Sequence, residues 1–557
     1  MIKENESKPL SHNEVLKEAD PILAGELAST LLDPEADRFS KDDGQFLKFH
    51  GIYQQDDRDL RKTGRKFMFM IRGRIHSGIL NPDQYGVYDD LSSKYANNTL
   101  RLTSRQSIQF HGVVKTGLGP LMKEINEALM TTLAACGDVN RNVMAPATPI
   151  TRPWINKVYE DAQLLDQALL PTTPSYNSIW VDGVQLNLSD HQGHDDPLYG
   201  KTYLPRKFKI AFAVPPLNDV DLFTNCLGFI AIEEGGDLVG YNVTAGGGLG
   251  MSHKNPDTYP RKADVIGYLK RDQVEEVAKA VLTVHRDFGD RTNRKHARLK
   301  YVLEERGVTW FREELKRRLG YFLDEARPYV FERQGDHFGW HKQADGNSYL
   351  GLFVETGRIK DTEHVRLKSA IRKVVDTYRT QVRLTPSQNL ILANIPEEDI
   401  EGIDQILQKH GVSATHEKSP IRSATMACPA LPTCGLAMAE SERYLPGLID
   451  RVEGLLQSRG MDREEIIVRM TGCPNGCARP YMAELGFVGR APRKYNVYVG
   501  GNESGTRLNR VYLESVKDED MESVLGGMLD RFKEGRQDGE RFGDWSARVL
   551  WEEIKEG

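Results

Sequence analysis

The sequence predicts a duplicated α+β fold of several domains, and three observations carry that expectation. The chain repeats itself: Arg101-Leu102-Thr103-Ser104-Arg105-Gln106 returns as Arg383-Leu384-Thr385-Pro386-Ser387-Gln388. Leu227-Gly228-Phe229-Ile230, followed by Tyr241-Asn242-Val243 and Gly246-Gly247, returns as Leu485-Gly486-Phe487-Val488, Tyr495-Asn496-Val497 and Gly500-Gly501. Both echoes keep their order, so a duplicated unit and a pseudo-twofold arrangement are expected, with a ligand where the halves meet. Strand and helix patterns also mix without a strict β-α-β succession, which points to α+β domains. Finally, 557 residues exceed what one hydrophobic core organises.

The elements follow in chain order. Residues Met1 to about Gly64 read as an irregular, polar N-terminal extension. Phe67, Phe69, Ile71 and Ile75 alternate with Met68, Met70, Arg72, Arg74 and His76, the period of a strand. From Arg101 to His111 the odd positions are all polar and include Arg101, Thr103, Arg105, Gln109 and His111, while Leu102, Ile108 and Phe110 are apolar. One extended strand with a face of donors is the expectation there. Phe208, Ile210, Phe212 and Val214 alternate with Lys207, Lys209, Ala211 and Ala213, so both lysines share a face. Amphipathic helices are expected at Gln273–Arg286, Asp361–Tyr378 and Ser441–Leu456.

Composition narrows the function. Hydrophobic residues make up 39% and charged residues 28%, as in a globular protein in water. A net charge of -6 gives no basic field for nucleic acid or a membrane surface. The polar start is unlike a secretory leader, and no apolar run approaches the roughly 20 residues of a membrane span. The expected location is the cytoplasm. Six cysteines are too few for a disulfide scaffold. Cys136 and Cys226 stand alone and read as inert buried thiols; the other four form two pairs.

Those pairs are Cys428-Pro429-Ala430-Leu431-Pro432-Thr433-Cys434 and Cys473-Pro474-Asn475-Gly476-Cys477. The first pair is wider than zinc-binding pairs usually are, and proline interrupts both, leaving backbone N–H groups free for sulfur. By spacing alone an iron–sulfur cluster, a structural zinc and unliganded thiols all remain open.

The residues around the pairs are more specific. Thr471-Gly472-Cys473-Pro474-Asn475-Gly476-Cys477-Ala478-Arg479-Pro480 runs into Tyr481-Met482-Ala483-Glu484-Leu485-Gly486-Phe487-Val488-Gly489, and Met426-Ala427-Cys428-Pro429-Ala430 precedes it. This pattern closely resembles the sulfite/nitrite reductase family, over about Phe49 to Tyr512. The resemblance implies sirohaem coupled to a [4Fe–4S] cluster, held by Cys428, Cys434, Cys473 and Cys477, with Cys477 also the axial ligand of the haem. It implies six-electron reduction of sulfite to sulfide, in assimilatory sulfur metabolism. Arg74, Arg141, Lys207 and Lys209 match the cations that clamp substrate. Arg101, Thr103, Arg105, Gln109, His111, Gln388 and Asn475 match positions that donate to the carboxylates of sirohaem.

The same resemblance implies domains at 65–133 plus 335–410, a ferredoxin-like pair of half-repeats, and at 134–334 and 411–557, the sirohaem- and cluster-binding repeats. One departure is visible: the family often continues past the second arginine with Pro-Gly-Gly, where this chain reads Ile75-His76-Ser77-Gly78. Gly246-Gly247-Gly248-Leu249-Gly250 lacks the strand–turn–helix setting of a dinucleotide site, so electrons are expected from a separate protein, an NADPH-dependent flavoprotein or ferredoxin. Two other readings compete with sulfite reduction: a sirohaem nitrite reductase making ammonia, and a non-enzymatic metal protein of the four cysteines.

Overall fold

The computed structural model describes residues 8–149, 152–172, 179–181, 184–186, 195–415 and 417–556. Its first half builds a five-stranded sheet from β1 (Ile52–Asp56), β2 (Phe67–Arg72), β4 (Leu100–Leu102) and β5 (Ile108–Val113), in the order β1-β2-β5-β4. The fifth strand, β14 (Arg358–Ile359), comes from the second half and pairs with β4. The second half repeats this with β12 (Gly339–Lys342), β13 (Ser348–Leu352), β15 (Gln381–Leu384) and β16 (Leu390–Ile395). It receives β3 (Ile79–Leu80) from the first half, beside β15. Each half thus closes the other's sheet, and one hydrophobic core runs through both, from Phe39 to Leu407.

The exchange requires glycine at two matching turns. Gly78 has φ +69° and a Cβ there would lie 2.7 Å from the Leu384 carbonyl oxygen; Gly357 has φ +75° and would meet that of Leu102 at 3.1 Å. The sequence echoes are two hairpin turns of one shape. Thr103 N–H donates to Ser107 O at 2.9 Å and Thr385 N–H to Asn389 O at 2.9 Å, with Gln106 and Gln388 at φ +50° and +71°.

Two further sheets repeat a second unit. Between the ferredoxin-like halves lies a small ribbon of β6 (Ile179–Val181) and β7 (Val184–Leu186), then β8 (Ile210–Ala213), β9 (Leu227–Glu234), β10 (Asp237–Ala245) and β11 (Asp264–Lys270). Its C-terminal counterpart contains β17 (Thr425–Ala427), β18 (Val468–Thr471), β19 (Leu485–Ala491), β20 (Lys494–Val499) and β21 (Arg510–Lys517). β8 runs parallel to β9 with Ile210 opposite Leu227, and β18 parallel to β19 with Val468 opposite Leu485. Helices Val274–Phe288 and Leu299–Leu319 cover the first of these sheets; Leu445–Ser458, Met521–Gly535 and Phe542–Glu556 cover the second.

Two expectations are corrected. The stretch taken as an irregular extension contains β1, which pairs along its whole length with β2; Tyr53, Gln54 and Gln55 made this edge strand look like a loop. The stretch Arg101–His111 is not one strand but the hairpin β4–β5: Arg101 and Gln109 are paired across it and share a face with His111, whereas Thr103 and Arg105 lie in the turn.

Candidate active site

The four paired cysteines converge. Cys428 and Cys473 are buried and Cys477 is exposed. Burial raises the Cys428 thiol pKa well above its ordinary range, and charge on Cys477, Cys473 and Cys434 pushes the same way. Burial with the Cys477 charge lifts Cys473 to about 12. Backbone donors are already aimed at the sulfurs: Gly472 N–H reaches Cys428 Sγ at 3.3 Å, those of Leu436 and Ala437 serve Cys434, and that of Asn475 serves Cys473. Among the described residues no three His, Cys, Asp or Glu side chains converge as tightly as one metal ion demands. Four crowded thiols around a space wider than one ion, three of them met by backbone N–H donors, suit a polynuclear cluster.

A group of cations lies beside them. The segment Asn140–Met144 runs along β8, with Arg141 N–H on Phe208 O at 3.1 Å, and this brings Arg141 to Lys207 and Lys209. Burial holds both lysine ammoniums well below their ordinary range; Arg141 adds to the effect at Lys207, Arg105 and Arg298 at Lys209. Both lysines are only half-buried by surface, because they border the cleft. Among the described residues neither ammonium meets a carboxylate. Arg105 donates to Asn225 Oδ1 at 2.9 Å and Ile210 O at 2.7 Å, its Nε has no partner, and burial lowers its pKa to about 9. At the hairpin tip Ser104 Oγ donates to Cys477 O at 2.8 Å, which ties the cations to the thiols. Like charges collected in a desolvated cleft, with no carboxylate in contact with either lysine among the described residues, describe a site for an anion.

Arg74 is the main correction. It does not join the group: its guanidinium is clamped on Asp166, Nε to Oδ2 and Nη2 to Oδ1 both at 2.9 Å, and also donates to the carbonyls of Ala134 and Asn140. The residue that joins is Arg72, at the end of β2. It donates to Cys136 Sγ at 2.9 Å, and the Gln109 amide oxygen accepts from its Nη2 at 2.5 Å and its Nε at 3.0 Å. Its charge meets no carboxylate among the described residues, and with Arg141, Arg206 and Cys136 it surrounds the Tyr53 phenol.

The remaining predicted residues divide. Arg101 is turned inward, onto Glu442 at 3.0 Å and the Ala427 carbonyl at 2.6 Å, where it supports the strand before Cys428. Thr103 Oγ1 accepts from Arg105 and Ser107 N–H within the turn. His111 lies between Gln109 and Arg358, and burial keeps its imidazole neutral, well below the ordinary range. Asn475 hydrogen-bonds Cys473. Gln388 presents a buried Oε1 with no partner. Arg298, which sequence reasoning missed, lies among the cations with an unpartnered Nε; a lone arginine before a helix carries no pattern.

Comparison with known proteins decides the family. The model of the nitrite and sulphite reductase 4Fe-4S domain matches residues 160–321 and 422–557. That of the nitrite/sulfite reductase ferredoxin-like half domain matches 61–128 and 341–410. The chain belongs to the nitrite and sulphite reductase family. It is 47% identical over 557 residues to a protein of Geobacillus kaustophilus named sulfite reductase [NADPH] hemoprotein beta-component, covering 99% of this chain and 97% of that one. A protein of the same name from Myxococcus xanthus is 46% identical over 551 residues, covering 98% and 97%. In fold, the chain is similar to the solved Mycobacterium tuberculosis NirA protein, with TM-score 0.79 at 24% identity and 97% of each chain covered. The cofactors of this family member are sirohaem and a [4Fe–4S] cluster, and the unpaired cations and crowded thiols provide the donor chemistry for both.

Proposed function

We propose that this chain is the haemoprotein of a sulfite reductase, reducing sulfite to sulfide with electrons from an NADPH-dependent flavoprotein in the cytoplasm. The observation that carries the reading is the set of cations without carboxylate partners, Arg72, Arg141, Lys207 and Lys209, next to four convergent thiols. Cys428, Cys434, Cys473 and Cys477 would hold the cluster, Cys477 would also bind the haem iron, and Arg105, Arg298 and Gln388 would meet sirohaem carboxylates. When bound, the cofactors supply electrons and a metal site for sulfur.

The protein's own contribution is electrostatic. The ammoniums of Lys207 and Lys209 repel each other and neighbouring arginines, and an oxyanion placed between them removes that conflict. As an S–O bond lengthens, charge gathers on oxygen, so the same groups stabilise the transition state more than the substrate. Their lowered pKa values also make the lysines ready proton donors to the departing oxygen. Arg72 and Arg141, whose planar guanidinium forks match an oxyanion, fix the anion. Arg74 and Asp166 hold the Asn140–Val143 segment in place, since Asp166 also accepts from Val143 N–H at 3.0 Å.

The test is anaerobic turnover with reduced methyl viologen, comparing kcat/KM for sulfite and nitrite on one preparation. Preference for sulfite with sulfide as product is expected; preference for nitrite with ammonia as product would overturn the substrate while leaving the cofactors in place.

A further inference from the structure

The segment after β1 is tied to the cysteine loops by contacts that the chemistry above does not use. Asp56, at the end of β1, is held by Arg61 (Nη2 to Oδ1 at 2.8 Å) and Arg65, which folds residues 56–65 into a strap. From the strap, Arg58 N–H donates to Pro432 O at 3.2 Å, within the first cysteine loop. Its Nη1 donates to Ala437 O at 2.5 Å, 379 residues away in sequence. Asp59 pairs with Arg443 at 2.8 Å just beyond that loop.

The Ala437 carbonyl is the entrance to a relay. The same peptide group presents Met438 N–H to Gly472 O at 2.7 Å, and Gly472 N–H donates to Cys428 Sγ at 3.3 Å. Gly472 has no room for a side chain, because a Cβ would lie 2.5 Å from Ala439 O. Ala437 N–H is itself one of the donors to Cys434. Arg58 therefore grips the one residue whose two peptide groups serve both cysteines of the first pair, and its charge favours the Cys434 thiolate. Among the described residues its guanidinium has no carboxylate partner.

We propose that Arg58 is a positioning residue for the cluster: it fixes the N–H donors of Cys428 and Cys434, and its charge raises the cluster's reduction potential. This rests on the reading of the four thiols as cluster ligands. Second-layer groups of this kind typically change metal retention about 10- to 100-fold.

The experiment uses reconstituted holoprotein of the wild type, Arg58→Ala, Arg58→Lys and the control Asp59→Ala. Iron release to a chelator and the cluster's potential, by spectroscopic redox titration, are the readouts. Arg58→Ala should release iron at least about tenfold faster and titrate at a more negative potential. Arg58→Lys, which restores charge, should recover the potential more than the retention, and Asp59→Ala should match wild type in both. Unchanged release and potential in Arg58→Ala, or an equal effect in Asp59→Ala, would overturn the proposal. If Arg58→Ala cannot be loaded, Arg58→Lys decides: wild-type release and potential there would also overturn it. A wild type without a cluster spectrum would instead fail the reading of the thiols.

Discussion

The cationic cleft and a cavity of about 270 Å³ lined by Ser387, Glu465 and Arg469 are the same place in two copies of one fold. Sheet register aligns them. Ile210 faces Leu227 as Val468 faces Leu485, so Lys209 corresponds to Ile467 and Lys207 to Glu465. Arg72 is opposite Gln109, which is opposite Arg101; the matching chain is Gly351, Ile391 and Arg383. Arg105 at one hairpin tip corresponds to Ser387 at the other, and Arg141 falls at Ser423–Ala424. Ser387, Ser423, Ala424, Glu465 and Ile467 all line the cavity. The backbone is kept on both sides, while one side has the five aligned cations replaced and the other has, at the positions of Cys473 and Cys477, Pro215 and Asp219. Fold is shared; chemistry resides in a handful of side chains.

The strongest way to break this comparison is to write one side into the other. Lys207→Glu copies Glu465 into the cleft and replaces a cation with an anion where sulfite develops charge. It should lower kcat/KM for sulfite about 10³-fold with methyl viologen as donor, with thermal stability close to wild type. A loss under about tenfold would mean that the lysine does not face the substrate.

Arg72 and Arg74 sharpen the comparison next, because they separate function from support two residues apart. Arg72→Gly copies Gly351 and should lower kcat/KM about 10²-fold with little change in stability. Arg74→Gln leaves the buried Asp166 carboxylate without its partner and should cost about 3–5 kcal/mol in urea denaturation. The reverse pattern would return the substrate role to Arg74.

That pair also shows what the sequence could carry. The duplication, the sheet patterns and the four thiols are legible because each is a local repeat or a local spacing. Arg72 and Arg74 have the same parity on a strand, so alternation cannot choose between them; the choice is made by β2 ending at Arg72 and by Asp166, 92 residues later. The hairpin within Arg101–His111 is hidden because Thr103-Ser104-Arg105-Gln106 has neither Gly nor Pro. Its repeat, Thr385-Pro386-Ser387-Gln388, does contain proline at the turn, and was the available signal.

A milder test uses pH. The lysine pKa values lie below the ordinary range, so kcat/KM should fall as pH rises well before free lysine would titrate. The sign for stability is opposite. Between the folded and unfolded pKa values the unfolded chain binds more protons, so the cofactor-free protein gains stability as pH rises through that window. Thermal melts of cofactor-free protein and rates of holoprotein across one pH series would check both; parallel slopes would contradict the assignment of these lysines to the anion site.

The smallest expected effect is on the silent side. Glu465 lines the cavity, and among the described residues its one ion pair, with Arg541 at 3.7 Å, is loose. Glu465→Gln should therefore leave kcat/KM for sulfite within about twofold, since its partner Arg541 otherwise pairs with Glu484 and Glu503 and not with the cleft cations. The same position tests how independent the copies are. Asp221 sits fully buried between them, pairing with Arg469 at 2.6 Å on the cavity side and Arg479 at 2.8 Å beyond Cys477. A larger change in turnover would contradict that independence, and repeating Glu465→Gln in an Asp221→Asn background would test whether the carboxylate between the copies carries it.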